Sequence, residues 1–293
     1  PHSVSQYGNA RKIYDIAGYS MKWYMSAITD VNFNYSGNDV VSPNVITLKA
    51  LDTMVSDESG EVVYTLLEDV TLHTTSRYAR AQCIQGVINQ YEVNGVDTIT
   101  LDNLDEYNRI YFNETMIAEN GIFVGNNTGS NLNYIGDWER VDNLESRPLG
   151  SKIFKFGVLP NSDTCYLEFP QDIVNLISGG LKIRYITTSG SAGNVSSNTL
   201  TTFYSSDINV EVKKDDGSTE TINVTDQISI NNPYAAVDGT DYEDLDSAYN
   251  NYKDIVGTFN TLVTCKDYET AVNDVMDGRN YAASNCVVSD RTN

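Results

Sequence analysis

Hydrophobic and polar residues alternate along much of the chain, which is the repeat of a strand with one buried face. The alternation is clearest over Ile28–Tyr35, where Val31 and Phe33 share a face and turn residues follow. Similar short runs, rich in β-branched and aromatic residues, continue through most of the sequence. The further strands predicted are 45–49, 61–67, 70–74, 82–91, 98–101, 110–112, 121–124, 153–156, 164–169 and 181–187.

A break in the alternation follows the last of these strands. The chain becomes rich in Gly and Ser over 189–194 and then resumes as a strand. Gly193 and Asn194 both tolerate positive φ, so a tight reversal is predicted at these two residues. Further along, the alternating runs 208–212 and 220–224 flank an Asp-Gly pair and predict a β-hairpin.

Helical spacing predicts helices near both ends of the chain. Apolar residues between positions 5 and 27 recur partly at helical intervals, so a short helix should precede the strand at 28–35. Near the other end, apolar residues from Leu245 to Ile255 share one helical face, and acidic residues crowd the first turns. Gly257 is expected to end this helix.

A second C-terminal helix is expected to begin at Thr264, which fits a capping-box pattern with Asp267, and to end at Gly278. A strand at 286–288 should follow. The predicted fold is therefore α+β and mainly β, with several small β-rich subdomains, one helix near the N-terminus and two amphipathic helices near the C-terminus. The predicted segments are 1–36, leading from helix to strand, 37–148, which is β-rich, and 149–293, which is α+β.

The chain carries a formal net charge of -21, from 40 acidic and 19 basic residues. Phosphate backbones and anionic membranes attract clustered Lys and Arg, so neither nucleic acid nor a membrane is an expected partner. The charge suits solubility and spacing in a crowded assembly, or attraction of a basic partner. No apolar run approaches the ~18 residues of a membrane span. Because the chain starts at Pro1 and stops just after a short apolar run, we expect a piece of a longer or processed polypeptide.

The four cysteines, Cys83, Cys165, Cys265 and Cys286, are scattered along the chain. Their spacing does not match a zinc site, so reduced and partly buried thiols are expected, which fits assembly in a cytoplasm. The only histidines are His2, at the start, and His73, which alternates with Leu72 in a predicted strand and is interpreted as structural. Phosphate-binding, Rossmann, zinc-protease and nucleophile-elbow motifs are absent.

Three further groups of side chains have a functional and a structural interpretation. Glu168 and Asp172 could form the carboxylate pair of a glycosidase, but we interpret them as solvated. Asp238, Asp241 and Asp244 lack the spacing of a calcium loop and are better explained as acids at a helix N-terminus. Aromatic residues near the N-terminus could form a sugar platform, but interface or core packing is preferred. Their members are Tyr7, Tyr14, Tyr19, Trp23 and Tyr24. No catalytic residue, cofactor site or metal ligand is assigned, and the chain is not expected to be an enzyme.

Three motifs occur in sequence order. The first motif has Gly180, Ile183, Tyr185, Thr188, Gly190, Gly193, Asn194, Val195, Thr199, Leu200 and Thr201; the second has Asn232, Pro233, Ala235, Ala236, Gly239, Asp241, Glu243 and Leu245; the third has Leu262, Val263, Thr264, Asp267, Tyr268 and Glu269. Together these motifs resemble the J-like baseplate family of contractile-tailed phages. Two departures occur: Val237-Asp238 stands where the family usually has Thr-Gly, and Ser196-Ser197-Asn198 stands where Pro-Ala-Gly is common.

The resemblance implies a structural component of the baseplate wedge, with 149–293 as its J-like core region. Such a protein forms part of the ring around the central hub and transmits the rearrangement that triggers sheath contraction. The implied partners are other wedge subunits, a second copy or a paralogue, and hub or sheath-initiating proteins. The implied location is the virion tail baseplate, assembled in the host cytoplasm, without catalysis or a cofactor.

Two other function classes remain open. A β-rich receptor- or carbohydrate-binding tail protein would place aromatic side chains on an exposed face. A carboxylate-dependent glycan hydrolase would need two acids in one cleft.

Overall fold

The computed structural model describes residues 7–16, 19, 21–38, 45–58, 61–73, 75–126, 136–159, 164–177, 179–204, 207–213 and 218–258. The fold over these residues is mainly β with few helices, as the sequence predicts. The helices are α1 (Tyr7–Ile16) and α2 (Leu245–Thr258), and the strands are β1 (Ile28–Tyr35), β2 (Val45–Leu48), β3 (Thr53–Ser56), β4 (Val63–Leu66), β5 (Val70–His73), β6 (Tyr78–Gln85), β7 (Val87–Gln90), β8 (Arg109–Tyr111), β9 (Ile117–Asn126), β10 (Glu139–Arg140), β11 (Ile153–Val158), β12 (Cys165–Glu168), β13 (Leu181–Thr187), β14 (Leu200–Phe203), β15 (Asn209–Lys213), β16 (Thr219–Asn223) and β17 (Ile228–Asn231).

Most of the predicted elements are present. β1 occupies the predicted range, and β2, β4, β5, β8, β9, β11, β12 and β13 each fall on the run predicted for them. β15 and β16 pair antiparallel as the predicted hairpin. α1 and α2 confirm a helix near the N-terminus and the first of the two C-terminal helices, although α2 continues through Gly257 to Thr258. The second C-terminal helix and the strand at 286–288 lie outside the described residues.

Two predictions of continuous strands are wrong. The run at 82–91 is divided into β6 and β7 by Gly86, whose φ of +110° lies in the left-handed region. A Cβ at Gly86 would also overlap β13. The run at 98–101 forms only one bridge, at Ile99, and then turns into a 3-10 helix at Leu101–Asn103.

Six antiparallel strands form a nearly closed barrel in the order β14-β3-β4-β6-β1-β17. The end strands β14 and β17 approach each other, and the backbone N–H of Asn198 donates to the carbonyl oxygen of Asn232 at 2.7 Å. The main hydrophobic core belongs to this barrel, because alternate side chains of its strands are buried. Its largest buried members include Phe33, Tyr35, Met54, Tyr64 and Leu66.

The other strands form smaller sheets. One has the order β10-β11-β12-β8 and another has β7-β13-β9, while β15–β16 and β2–β5 are two-stranded. Ile84, Ala118, Phe123 and Ile186 form a second buried cluster around the three-stranded sheet. The barrel draws β1 from the predicted segment 1–36, three strands from 37–148 and two from 149–293, while the segment division itself stays a prediction.

The chain divides into two compact units. The larger comprises Tyr24–Gly157 and Cys165–Asp241 and contains the barrel. The smaller comprises Pro1–Trp23, Val158–Thr164 and Tyr242–Asn293 and contains both helices. No helix among the described residues is long and apolar enough to cross a membrane.

The two helices of the smaller unit bury an aromatic cluster between them. The ring centroid of Tyr14 on α1 lies 4.9 Å from that of Tyr252 on α2 and 5.9 Å from that of Tyr19. Ala10 and Ala248 are buried in the same cluster. Apolar residues at helical spacing mark the contact face of α2, as expected for an amphipathic helix. On α1 the contact is made by Ala10 and Tyr14, whereas Ile13 is exposed.

Asp244 caps the N-terminus of α2, which confirms the structural interpretation of this acid. Its Oδ1 accepts the backbone N–H groups of Asp246 and Ser247, each at 2.9 Å. Hydrogen bonds from the backbone and hydroxyl of Ser247, together with the Asp246 amide, lower the pKa of Asp244. The side chain thus satisfies two of the amides that a helix leaves unpaired at its start.

The reversal after β13 differs from the prediction. Residues Gly190–Gly193 form a 3-10 helix, and the left-handed residue is Gly190, with φ of +57°. Asn194 has φ of -77°, so the prediction of a positive-φ turn at Gly193 and Asn194 is wrong. The chain reverses earlier because the hydroxyl of Thr188 accepts the backbone N–H of Gly190 at 3.0 Å.

Candidate functional site

The first two motifs meet in the larger unit, at a place that we call the signature junction. It consists of the loop 188–198 after β13, the loop 232–241 after β17, Gln85 at the end of β6 and Tyr64 on β4. The two loops are about forty residues apart in sequence, yet polar side chains of each bond to the backbone of the other.

Asn232 joins the two end strands of the barrel. It is fully buried and directly follows β17. Its Oδ1 accepts the backbone N–H groups of Thr199 and Leu200, and its Nδ2 donates to the carbonyl oxygens of Ser196 and Tyr234, all at 2.9 Å. The side-chain amide of Asn232 therefore uses its full hydrogen-bonding capacity, with two bonds donated and two accepted. Through these bonds Asn232 holds the start of β14 against the end of β17.

Asn194 makes a second connection between the loops. Its Nδ2 donates to the carbonyl oxygen of Gly239 at 2.7 Å, and its Oδ1 accepts the Gly239 N–H at 2.9 Å. A Cβ on Gly239 would lie 2.7 Å from the carbonyl oxygen of Gly190 and 3.0 Å from Cβ of Ala27. Glycine is therefore required at 239 by the close approach of the two loops.

Asp241 makes the third connection. Its carboxylate accepts the backbone N–H of Ser191 at 3.1 Å and also the Ser191 hydroxyl. A Cβ on Gly190 would overlap Oδ1 of Asp241 and would lie 3.2 Å from the carbonyl oxygen of Thr240. Gly190 thus combines a left-handed backbone with a close approach, and both need the absence of a side chain.

Two side chains outside the motifs complete the signature junction. Oε1 of Gln85 accepts the Thr188 hydroxyl at 2.7 Å and the Ser189 N–H at 3.1 Å. The hydroxyl of Tyr64 donates to the carbonyl oxygen of Gly193 at 2.6 Å. Burial raises the pKa of Tyr64, so its hydroxyl stays protonated as a donor. Sequence reasoning missed both residues, because the local pattern of their strands gave no signal for them.

Glu243, the second of the two acids in the second motif, belongs to the smaller unit and is buried there. Its carboxylate accepts the hydroxyl of Tyr19, Nδ2 of Asn251 at 2.6 Å and the backbone N–H of Lys22 at 3.3 Å. Like the motif residues of the signature junction, Glu243 therefore forms its hydrogen bonds with other residues of the chain. The third motif, at 262–269, lies outside the described residues.

The signature junction is built to fix two loops. Its amide and carboxylate side chains bond mainly to backbone groups, and its glycines lie where the chains approach closely. Across the described part of the chain, no group of three or more His, Cys, Asp or Glu residues could hold a metal ion. The contacts of the signature junction support a structural role, which is to hold the end of the barrel rigidly.

The aromatic candidates near the N-terminus differ in exposure. Tyr14 and Tyr19 belong to the aromatic cluster between α1 and α2. Tyr14, Tyr19 and Trp23 are buried, which confirms the core interpretation for these three residues. Tyr24 is half-buried, and the side chain of Tyr7 lies outside the described part. A sugar platform built from these residues would need exposed rings, which the three buried residues do not offer.

The histidine and cysteine candidates are also placed. His73 is exposed on β5, and His2 lies outside the described residues. Cys83 and Cys165 are buried and are not in disulfides, and burial raises the pKa of Cys83, which opposes thiolate chemistry. The other two cysteines lie in the part that is not described.

The two carboxylates considered for glycosidase chemistry line one groove of the larger unit, with a volume of about 560 Å³. Glu168 accepts Nε and Nη2 of Arg109 at 2.8 and 2.6 Å. Asp172 accepts the backbone N–H of Gly150 at 2.6 Å. The structure therefore brings both acids to one groove, but each already has a structural partner.

Asp105 organises the turn that forms one wall of this groove. Its Oδ1 accepts the backbone N–H groups of Tyr107 and Arg109, both at 2.8 Å, and its Oδ2 accepts the hydroxyl of Tyr111. Burial alone would raise the pKa of Asp105, but the bonds from Tyr111, Arg109 and Tyr107 outweigh it and lower that pKa.

A pH series should show this stabilisation. Because the folded pKa is depressed, ionised Asp105 stabilises the fold above its unfolded value of ~4, and this contribution is lost as pH falls through the folded pKa. Wild type should therefore be more stable than Asp105→Asn at pH 7, and the difference should shrink below about pH 4. Urea unfolding of both proteins across this range measures it. A difference that is constant with pH would contradict the assigned role.

The comparisons with known proteins add no relative to this picture. No protein-family model matches the chain, and no curated protein matches it. The resemblance to the baseplate family therefore stays a prediction that depends on the three motifs, and residues of the first two lie in hydrogen-bonded loops.

Proposed function

We propose that the chain is a structural component of the baseplate wedge in a phage contractile tail. In this role it forms part of the ring around the central hub and transmits the rearrangement that triggers sheath contraction. Its partners are other wedge subunits, a second copy or a paralogue, with hub or sheath-initiating proteins as further candidates. It acts in the virion after assembly in the host cytoplasm, and the proposal includes no enzymatic step.

The observation that carries the proposal is the use of the motif residues. Asn194, Asn232 and Asp241 are polar and belong to the motifs, yet each bonds to the neighbouring loop. Residues that form a motif because of catalysis would instead converge on a cleft. A motif made of loop-fixing contacts supports a structural role for these residues over a catalytic one.

The net charge of -21 supports the same role. Acidic surfaces repel one another and so keep unassembled subunits apart. They also attract basic surfaces of partner proteins and orient them as they bind. The proposal therefore expects basic faces on the neighbouring wedge subunits.

Composition of purified tails tests the proposal. Tails are isolated from lysed host cells on a density gradient, and their polypeptides are identified by mass spectrometry. The chain, or a longer polypeptide that contains it, should co-purify with sheath and tube proteins in fixed proportion. A host cytoplasmic enzyme serves as the contamination control. Absence from intact tails, or a level no higher than that of the host enzyme, would refute the wedge role.

A β-rich receptor- or carbohydrate-binding tail protein is the second candidate. The groove near Glu168 is the observation that favours it, because an exposed aromatic ring, Tyr107, lines a cleft of ligand size.

A further inference from the structure

The groove has one exposed aromatic wall and one exposed aliphatic residue. Tyr107 is 60% exposed and Leu149 is 88% exposed, and both line the groove. The volume of about 560 Å³ lies within the range of small-molecule sites.

The ring of Tyr107 is held in place from behind. The Arg109 guanidinium lies 5.2 Å from the centroid of Tyr107 and 4.6 Å from that of Tyr166, so it is stacked with both rings. Glu168 fixes the guanidinium through two hydrogen bonds, and Asp105 fixes the backbone of the turn. The ring is thus preorganised, which lowers the entropy cost of binding on its exposed side.

The remaining polar groups of the groove offer both donors and acceptors. Lys155 is half-buried, its side chain makes no hydrogen bond or ion pair with the described residues, and Gln171 is exposed. Glu106 and Glu145 are exposed acceptors whose carboxylates likewise have no partner among the described residues. The groove therefore combines an aromatic face with unused groups of both hydrogen-bonding types.

We propose that this groove binds a neutral oligosaccharide, with one sugar ring packed against Tyr107 and its hydroxyls bonded to Lys155, Glu145 and Gln171. The inference rests on the second candidate function and is independent of the wedge role. Sugars offer an apolar ring face together with hydroxyls that both donate and accept, which matches this lining.

Charge selects a neutral ligand over the alternatives. An anionic ligand would meet the unpaired acids Glu106 and Glu145, and the chain as a whole repels it. A basic peptide supplies only donors at its side chains and would leave Lys155 facing like charge. The hydroxyls of a neutral polyol can both accept hydrogen bonds from Lys155 and donate them to the carboxylates, so both types of group have a partner.

Saturation-transfer NMR and calorimetry on the full chain test the proposal, with maltotriose, cellotriose and chitotriose as neutral probes and octalysine as the basic probe. At least one trisaccharide should bind wild type, and Tyr107→Ala should weaken that binding by about tenfold or more, since the ring contact is worth at least ~1.4 kcal/mol. Lys155→Met should weaken the same binding.

Tyr234→Ala is the matched control. Tyr234 is also highly exposed, at 64%, and its ring also lies beside an arginine, Arg80, at 5.7 Å, but it is not part of the groove lining. This variant should bind the sugar as wild type does. The proposal is overturned if no trisaccharide binds at millimolar concentration, if Tyr107→Ala and Tyr234→Ala bind equally, or if octalysine alone binds. None of these outcomes alters the tail composition that tests the wedge role.

Discussion

Replacement of Asn232 by Leu should destabilise the barrel by several kcal/mol. Leu has nearly the shape of Asn but none of its hydrogen-bonding atoms, so the backbone N–H groups of Thr199 and Leu200 would lose their partner. The carbonyl oxygens that accept from Asn232 would each keep one hydrogen bond, from the hydroxyl of Thr199 or of Thr29. Each buried group left unpaired costs ~1–3 kcal/mol, so the two N–H groups give a loss of roughly 2–6 kcal/mol. Denaturant unfolding measures the loss, and hydrogen exchange at the Thr199 and Leu200 amides should become faster.

Asn231→Leu is the control for this variant. Asn231 is the neighbouring residue and is half-buried, and its side chain makes one bond, to Oδ1 of Asn198 at 2.9 Å. It should cost about 1 kcal/mol or less. If the two variants lose the same stability, Asn232 does not hold the two end strands together.

Gly190→Ala is expected to have the second-largest effect. The added Cβ would sit at a left-handed φ of +57° and would overlap the Asp241 carboxylate. Moving that carboxylate would break its bonds to Ser191. Backbone strain of ~1 kcal/mol and the lost contacts together give roughly 2–4 kcal/mol of destabilisation.

Gly95→Ala separates the two causes. Gly95 has a similar left-handed φ of +77°, but a Cβ there would meet no atom within 4 Å. It should therefore report the backbone strain alone, at about 1 kcal/mol. If Gly190→Ala costs no more than Gly95→Ala, the close approach to Asp241 is unimportant. A double-mutant cycle of Gly190→Ala with Asp241→Ala should be less than additive, because the second change removes the collision.

Local pattern in the sequence was enough to find most of the strands. Alternation places β1 within its observed bounds, since a two-residue repeat with one apolar face specifies a half-buried strand. The split at Gly86 was not predictable in the same way. The residues next to Gly86 do not mark a break in the strand. Only the contact of Gly86 with β13, about a hundred residues later, requires a left-handed backbone there.

The candidate site was predictable in its residues and not in its geometry. The motifs marked Asn194, Asn232 and Asp241, but composition and spacing could not show that their bonds cross between loops. The reversal was assigned to Gly193 and Asn194 because both tolerate positive φ, whereas tertiary contacts place that conformation at Gly190. The groove could not be found at all, because its walls come from four separate stretches.

The order of strands in the barrel has a consequence for synthesis on the ribosome. β1 is made early but pairs with β17, with Asn32 opposite Asn231 and Tyr35 opposite Ile228. One edge of β1 therefore stays unpaired until most of the described chain has emerged from the ribosome. Contacts so distant in sequence slow folding, and an exposed edge invites pairing with other chains. Nascent chains that stop before Asn232 should thus be the aggregation-prone species, and chaperone contact during translation would be concentrated on the waiting edge of β1.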